Sequence, residues 1–303
     1  MTTNTNSTYP LTRRSVLKGA AAAGAVSAFG VTSTGFVGLA AADEHTVINT
    51  CNDLDIVLAL DYSGSINGAG TWPDIESGTD SFFEVVPDDV QLGMVLFGDA
   101  PDARPYVAND YLRLATSANI DLLQAEIPAS SPPQENGTHM PGALEFANAI
   151  LDEEGRDGNE VIILVTDGGP NYQNGVVGDG AFPPEDDTTF PYGSFDFTGG
   201  SAGGDGNITQ SELDETEGVA TDIKNGGVRI IAVGIGQNVA GYDGYLENEI
   251  ASSPDDFVAV EDAENLGAEL QQLLTEICDE CVPCESDELL AKYEFACVER
   301  DPE

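Results

Sequence analysis

The chain is expected to fold as a doubly wound α/β protein. A mostly parallel central sheet, with one antiparallel edge strand, lies between two layers of helices. Three observations carry this expectation. Short runs that are apolar on both faces recur at residues 54–60, 161–166 and 228–234, as strands buried from both sides do. Segments with apolar residues at helical spacing lie between or beyond them. The 303 residues, 41% hydrophobic, suffice for one large domain with an insertion or a tail.

Leu54–Asp61 reads as the first buried strand. Ile75, Phe82, Phe83 and Val86 fit one face of a helix over residues 73–86. An Asp88-Asp89 turn opens the second strand, 90–97. Residues 103–107 are short, as an edge strand is, and 111–115 extend it or pair with it. Asn119 is expected to cap a short helix reaching Ile127, with Ile120, Leu123 and Ile127 on its stripe. Residues 128–134, rich in Pro and Ser, form a loop. Pro141 stands where a first-turn proline belongs, and 143–151 continue as helix. Residues 161–166 and 228–234 are strands, and Phe257–Val260 is a short one. Leu266, Leu270, Leu273, Leu274 and Ile277 make 263–278 amphipathic. Residues 169–218 break the pattern. They are rich in Gly, Asp and Pro and carry Phe182, Phe190, Tyr192, Phe195 and Phe197. A loop of that length either borders a functional site or is a solvated insertion, and this one begins beside Asp167.

In sheets covered on both sides, ligands bind at the carboxyl ends of strands. Asp61 ends the first strand, and Asp167 follows the strand 161–166. Asp61-Tyr62-Ser63-Gly64-Ser65 therefore delivers a carboxylate and two hydroxyls, at alternate positions, onto a Gly-containing turn. Converging hard oxygens are what a small divalent cation needs. Two distant segments complete the set. Asn136-Gly137-Thr138-His139-Met140-Pro141-Gly142-Ala143-Leu144 places a hydroxyl before a helix, and Leu164-Val165-Thr166-Asp167-Gly168-Gly169-Pro170-Asn171 supplies a second carboxylate.

In this order, in an alternating β/α chain, the three segments resemble the von Willebrand factor A domain with its metal-ion-dependent adhesion site. The resemblance covers about residues 54–278. It departs at Pro141, where family members often have Gly. It implies a Rossmann-like three-layer sandwich and the metal ligands Asp61, Ser63, Ser65, Thr138 and Asp167. Ser63 and Ser65 would coordinate through their hydroxyls, and Thr138 directly or through water. Asp61 and Asp167 would act mainly through bound waters. Mg²⁺ is the expected ion, with Ca²⁺ or Mn²⁺ as alternatives, because Mg²⁺ keeps several waters and needs few direct carboxylates. An open position would take an Asp or Glu from a protein ligand. The competing reading is that Asp61 and Asp167 merely cap strand-to-helix loops.

The charge balance is extreme, with 10 Lys+Arg against 54 Asp+Glu and a net charge of −44. Nucleic acid and anionic membrane surfaces are poor partners for such a chain. The acids are spread between patterned apolar strands, which argues for a surface adapted to high salt rather than a disordered chain. Thr12-Arg13-Arg14-Ser15-Val16-Leu17-Lys18 has the twin-arginine form. An Ala/Gly-rich stretch and Ala40-Ala41-Ala42 follow, as in an export signal with a cleavage site. Glycines and hydroxyl residues make the stretch a poor membrane span, although retention as an anchor is the alternative. Residues 1–42 are thus expected to be a signal for folded export, 43–278 the domain and 279–303 a tail. The mature chain would hold 7 Lys+Arg against 54 Asp+Glu, a net charge of −47, with no membrane span and no C-terminal anchor.

Five cysteines in an exported chain suggest disulfides. Cys51 precedes the first strand and Cys278 closes the last long helix, so a bridge would tie the domain's two ends. Cys281, Cys284 and Cys297 remain, and one of them must be free, intermolecular or a ligand. Cys278, Cys281 and Cys284, with Cys297 beyond, also allow zinc or an iron–sulfur cluster.

Weaker signals remain. Asp205, Asn207 and Glu212 match the second half of a calcium loop. Against this, Ser201 and Gly203 stand where acids belong, and the same stretch reads as a loop entering a helix over 210–225 capped by Thr209. Asn207-Ile208-Thr209 is a glycosylation sequon, and Asn136-Gly137-Thr138 a second that would crowd the metal. Residues 289–297 alternate like a strand. His45 and His139 have no evident nucleophile to serve, and no phosphate-binding Gly loop with Lys occurs. A surface or secreted module binding a protein through a divalent cation is therefore expected. A surface-layer or pilus component is the alternative, and a metal-dependent hydrolase a more distant one. The ligand and the oligomeric state are not written in the sequence.

Overall fold

A computed structural model of the chain describes residues 51, 53–98, 101–104, 110–132, 137–156, 158–171, 208–236 and 241–280. The expected export signal, most of the 169–218 stretch, Asp205, Asn207, Cys281, Cys284, Cys297 and the expected 289–297 strand lie outside the described residues.

Seven strands form one sheet among the described residues: β1 (Leu54–Asp61), β2 (Gln91–Phe97), β3 (Pro101–Ala103), β4 (Arg113–Leu114), β5 (Asn159–Thr166), β6 (Arg229–Ile235) and β7 (Phe257–Val260). Their order is β3-β2-β1-β5-β6-β7. β2, β1, β5, β6 and β7 run parallel. The order reverses across β1, with β2 on one side and β5 on the other, and this places the switch point at the carboxyl ends of β1 and β5. The antiparallel edge comes in two pieces, both on β2. β3 pairs with its carboxyl end and β4 with its first residues. Residues 111–115 therefore pair with β2 rather than with β3. Glu154 holds them there by accepting the N–H groups of Tyr111 and Leu112.

Helices α1 (Gly64–Ala69), α2 (Trp72–Phe83), α3 (Ser117–Ala125), α4 (Met140–Glu154), α5 (Gln210–Gly226), α6 (Asp243–Tyr245) and α7 (Leu266–Glu280) complete the layers. Alternate residues of β1 point to opposite cores, as a strand's period of two requires. Leu54, Ile56, Leu58 and Leu60 pack with residues of α2, α3 and α7, among them Phe82, Leu123 and Leu270. Val57 and Ala59 pack with residues of α4 and α5, among them Phe146 and Ala220. α2 and α7 approach so closely that a Cβ on Gly78 would lie 2.9 Å from the backbone nitrogen of Gly267.

Local signals explain several boundaries. Pro141 lies in the first turn of α4. Thr209 caps α5 in a reciprocal capping box, in which the Glu212 carboxylate accepts the Thr209 N–H and the Thr209 hydroxyl accepts the Glu212 N–H. α3 differs from expectation. Thr116 occupies its cap position, and Asn119 sits within the helix with its side chain donating to the Leu114 carbonyl. Cys51 and Cys278 form a disulfide that joins the segment before β1 to α7. No helix among the described residues is long and apolar enough to cross a membrane.

Candidate metal centre

Three loops at the carboxyl edge of the sheet carry the five expected ligands. Hydrogen bonding across β1 and β2 continues one residue beyond Asp61, where the Tyr62 N–H donates to the Phe97 carbonyl at 2.6 Å. The chain then turns, and Ser63, in extended conformation, occupies the position before α1. Asp61 is buried (1% exposed). One carboxylate oxygen accepts the Ser63 N–H at 2.9 Å and the other accepts the Thr166 hydroxyl at 2.7 Å. The last residue of β5 thus braces the last residue of β1.

Ser65 donates its hydroxyl to Asp167 at 2.7 Å, and its oxygen lies 2.9 Å from that of Ser63. The Ser65 proton is committed to the Asp167 carboxylate, while the Ser63 hydroxyl lies beside both Ser65 and Asp61. Both serine oxygens keep lone pairs for a cation. Ser63 and Asp167 are buried, whereas Ser65 is exposed. The open face of the cluster lies on the Ser65 side.

Thr138 arrives on the third loop and is buried. The N–H of the next residue, His139, donates to the Gly98 carbonyl at the end of β2. Asn171 grips Thr138 twice. Its side-chain oxygen accepts the Thr138 N–H at 2.6 Å, and its own N–H donates to the Thr138 carbonyl at 3.1 Å. His139 is buried at the head of α4, where its Nδ1 accepts the Gly142 N–H. It therefore acts as a helix cap.

The electrostatics suit a cation. Burial, together with the neighbouring Asp167 charge, pushes the Asp61 carboxyl up to about 7, while hydrogen bonds from Thr166 and Ser63 oppose the rise. Two neighbouring buried carboxylates make surroundings that a bound cation would relieve. No group of three or more His, Cys, Asp or Glu side chains converges among the described residues. The donor set is hydroxyl-rich instead, with two carboxylates, and this fits Mg²⁺ or Mn²⁺ better than a thiolate or imidazole metal.

Beside Asp167 a cavity of about 370 Å³ opens, lined by Thr71, Asp74, Gly236, Glu261, Asp262 and Glu264 among others. Gly169 has no room for a side chain, because a Cβ would lie 2.9 Å from the Tyr242 ring and 3.0 Å from Ile208. The last residues described before the 172–207 stretch and the first after it therefore meet next to Asp167. Of the weaker calcium set, Glu212 lies in the capping box of α5. One carboxylate oxygen is engaged there and the other is buried without a partner.

Sequence reasoning missed the supporting residues Thr166 and Asn171. Both stood in a quoted motif, and their polar side chains beside a strand end were the available signal. It also missed Tyr62, Asn67 and Trp72, whose partners are backbone carbonyls that no side-chain pattern reveals.

Residues 55–179 match the family model of the von Willebrand factor type A domain. No curated protein matches the chain. Among solved structures, the pilus adhesin SpaC from Lactobacillus rhamnosus GG is 19% identical, with a TM-score of 0.57 over 76% of this chain and 31% of that one. This chain thus spans about a third of SpaC. The vWF domain of the type V pili tip protein Mfa5 from Porphyromonas gingivalis is 15% identical, with a TM-score of 0.56 over 79% of this chain and 99% of that one. Proximal thread matrix protein 1 of the mussel byssus, in a structure with a zinc-occupied MIDAS motif, is 17% identical, with a TM-score of 0.50 over 76% of this chain and 49% of that one. At these identities the likeness is one of fold.

Proposed function

We propose that the von Willebrand factor type A domain of this chain is a binding module that captures a protein ligand through a divalent cation. Asp61, Ser63, Ser65, Thr138 and Asp167 would hold the ion. The observation that supports this reading is the hydrogen-bonded set of Ser63, Ser65 and Asp167 beside the buried Asp61. When bound, the cation supplies a Lewis-acid contact for a carboxylate. The Asp61 and Asp167 carboxylates balance its charge, the serine oxygens face it, and Asn171 and Thr166 fix the loops. Without an ion, so acidic a chain would repel an Asp or Glu side chain. Mg²⁺ is the preferred occupant, with Ca²⁺ or Mn²⁺ as alternatives. The twin-arginine segment and the acidic composition support a role outside the cell, in the secreted fraction or at the surface.

A second reading, a structural component of a surface layer or pilus, draws on the same fold, since SpaC and Mfa5 are pilus proteins. Binding rather than hydrolysis is proposed because the sequence offers no nucleophile and base as a pair.

The test is Mn²⁺ binding to the exported protein in strong KCl, followed by capture from the cell envelope with and without chelator. One ion per chain is expected, lost in Asp61→Ala, together with chelator-sensitive capture. Intact protein that binds no Mn²⁺ overturns the site. Capture that survives both chelator and Asp61→Ala overturns the metal bridge.

A further inference from the structure

Between α3 and Thr138 the chain runs through Pro128-Ala129-Ser130-Ser131-Pro132. Prolines at two of these five positions remove N–H groups, so the stretch is badly equipped to join a sheet. Its carbonyls are taken up differently. The Trp72 indole N–H donates to the Pro128 carbonyl at 2.8 Å, the Tyr62 hydroxyl to Ser130 at 2.7 Å and the Asn67 side-chain amide to Pro132 at 2.7 Å. The three carbonyls belong to alternate residues, the spacing at which an extended chain points its carbonyls the same way. All three donors come from the short segment that also carries Ser63 and Ser65. Tyr62 lies between Asp61 and Ser63, and Asn67 lies in α1. Trp72 opens α2, and its ring meets that of Tyr62 edge to face at 4.7 Å.

We propose that Tyr62, Asn67 and Trp72 are positioning residues of the metal centre. They form a side-chain ladder that fixes residues 128–132, the described stretch leading toward Thr138, against the serine loop. The inference rests on the metal-binding reading above. Thr138 follows Pro132 by six positions and is held on its other side by Asn171. The ladder therefore controls the one expected ligand that no hydrogen bond links to the other four side chains among the described residues. Tyr62→Phe and Asn67→Ala remove two rungs of the ladder without deleting an apolar core side chain, so they should change ion affinity more than fold stability.

The experiment measures Mn²⁺ affinity of the full chain by electron paramagnetic resonance, alongside the thermal midpoint in EDTA. Tyr62→Phe combined with Asn67→Ala should raise the Mn²⁺ dissociation constant about tenfold, the usual scale for residues that orient ligands. Asn119→Ala removes a comparable side-chain bond to a backbone carbonyl at the opposite end of the sheet and should leave affinity unchanged. Should the double variant not fold, Tyr62→Phe alone, which deletes one hydroxyl, should still weaken binding roughly threefold. Clasp variants that bind Mn²⁺ like the parent, or that weaken it no more than Asn119→Ala, overturn the ladder and leave the metal reading standing. A parent protein without Mn²⁺ binding overturns both.

Discussion

Thr138 and Asn171 hold each other by two hydrogen bonds, although 33 residues separate them. The Asn171 side chain accepts the Thr138 N–H, and the Thr138 carbonyl accepts the Asn171 N–H. This pair welds the loop before α4 to the loop after β5, and so joins two of the three loops of the candidate metal centre. Asn171→Ala should weaken Mn²⁺ binding by about 10-fold or more. Asn171→Asp keeps an acceptor for the Thr138 N–H and should retain more affinity. Calorimetric titration of both variants checks the order.

Asp61 gives the metal-free protein a particular pH dependence. Its carboxyl is raised from 3.8 to about 7 in the fold, so the folded state holds the proton more tightly than the unfolded state. That contribution to stability is complete below the unfolded value and is lost as the pH rises through about 7. In EDTA, the parent protein should therefore lose stability relative to Asp61→Asn between about pH 4 and about pH 7. At pH 8 the variant should melt on the order of 5 °C higher. With Mg²⁺ present the proposed site predicts the reverse order, because the variant lacks the Asp61 carboxylate that would help hold the ion. Melting curves across pH, with and without Mg²⁺, decide this.

Removing the Cys51–Cys278 bridge should cost much of the domain's stability. It closes a loop across 227 positions, which in the chain-entropy model corresponds to about 5 kcal/mol. Cys51→Ser with Cys278→Ser should lower the melting point on the order of 10 °C. An unchanged melting point in non-reducing buffer would show that the bridge constrains nothing.

The end of the sheet opposite the metal centre depends on Arg156. Its guanidinium donates to the buried Asp55 carboxylate, to the Leu54 carbonyl at 2.6 Å and to the Asp89 carbonyl at 2.9 Å. Burial nevertheless pushes the Asp55 carboxyl above its usual range, against the pull of Arg156. Arg156→Ala strands a buried carboxylate and should cost about 3–5 kcal/mol. Asp55→Asn, which strands no anion, should cost less. Urea unfolding of the two variants in strong salt gives the comparison.

Salt should stabilise the fold steeply. With 54 acidic against 10 basic side chains, self-repulsion opposes the compact state until it is screened. The melting point should rise between roughly 0.1 M and roughly 3 M KCl, and a flat profile would count against adaptation to brine.

The elements most legible in the sequence were those whose signal is local. Phe257–Val260 is a strand with the expected ends, and Thr209 caps α5 as its side chain suggested. The α7 stripe of leucines is buried as spaced. α1 escaped notice because Gly64, Asn67, Gly68 and Ala69 carry almost no helical periodicity, and Ile66 alone is buried. Asn119 was the natural cap by type. The chain enters α3 three residues earlier because residues 113–114 stop at β2, and that pairing is a long-range event. The same holds in the candidate site. The candidate donors could be read along the chain because Asp61, Ser63, Ser65 and Asp167 stand at strand ends and Thr138 stands before a helix.

The alternation of buried strands and amphipathic helices follows from the residue pattern, and with it the carboxyl edge of the sheet as the place for a site. The chemistry available there follows too, since the kind and order of oxygen donors are properties of the chain. How those donors are held emerges only from the packed fold. Thr166 braces Asp61, Ser63 and Ser65 pair beside Asp167, Asn171 clasps Thr138, and Tyr62, Asn67 and Trp72 take up three backbone carbonyls. Most of these bonds join residues far apart in sequence, several end on backbone atoms that every residue possesses, and their geometry exists only once both cores have packed.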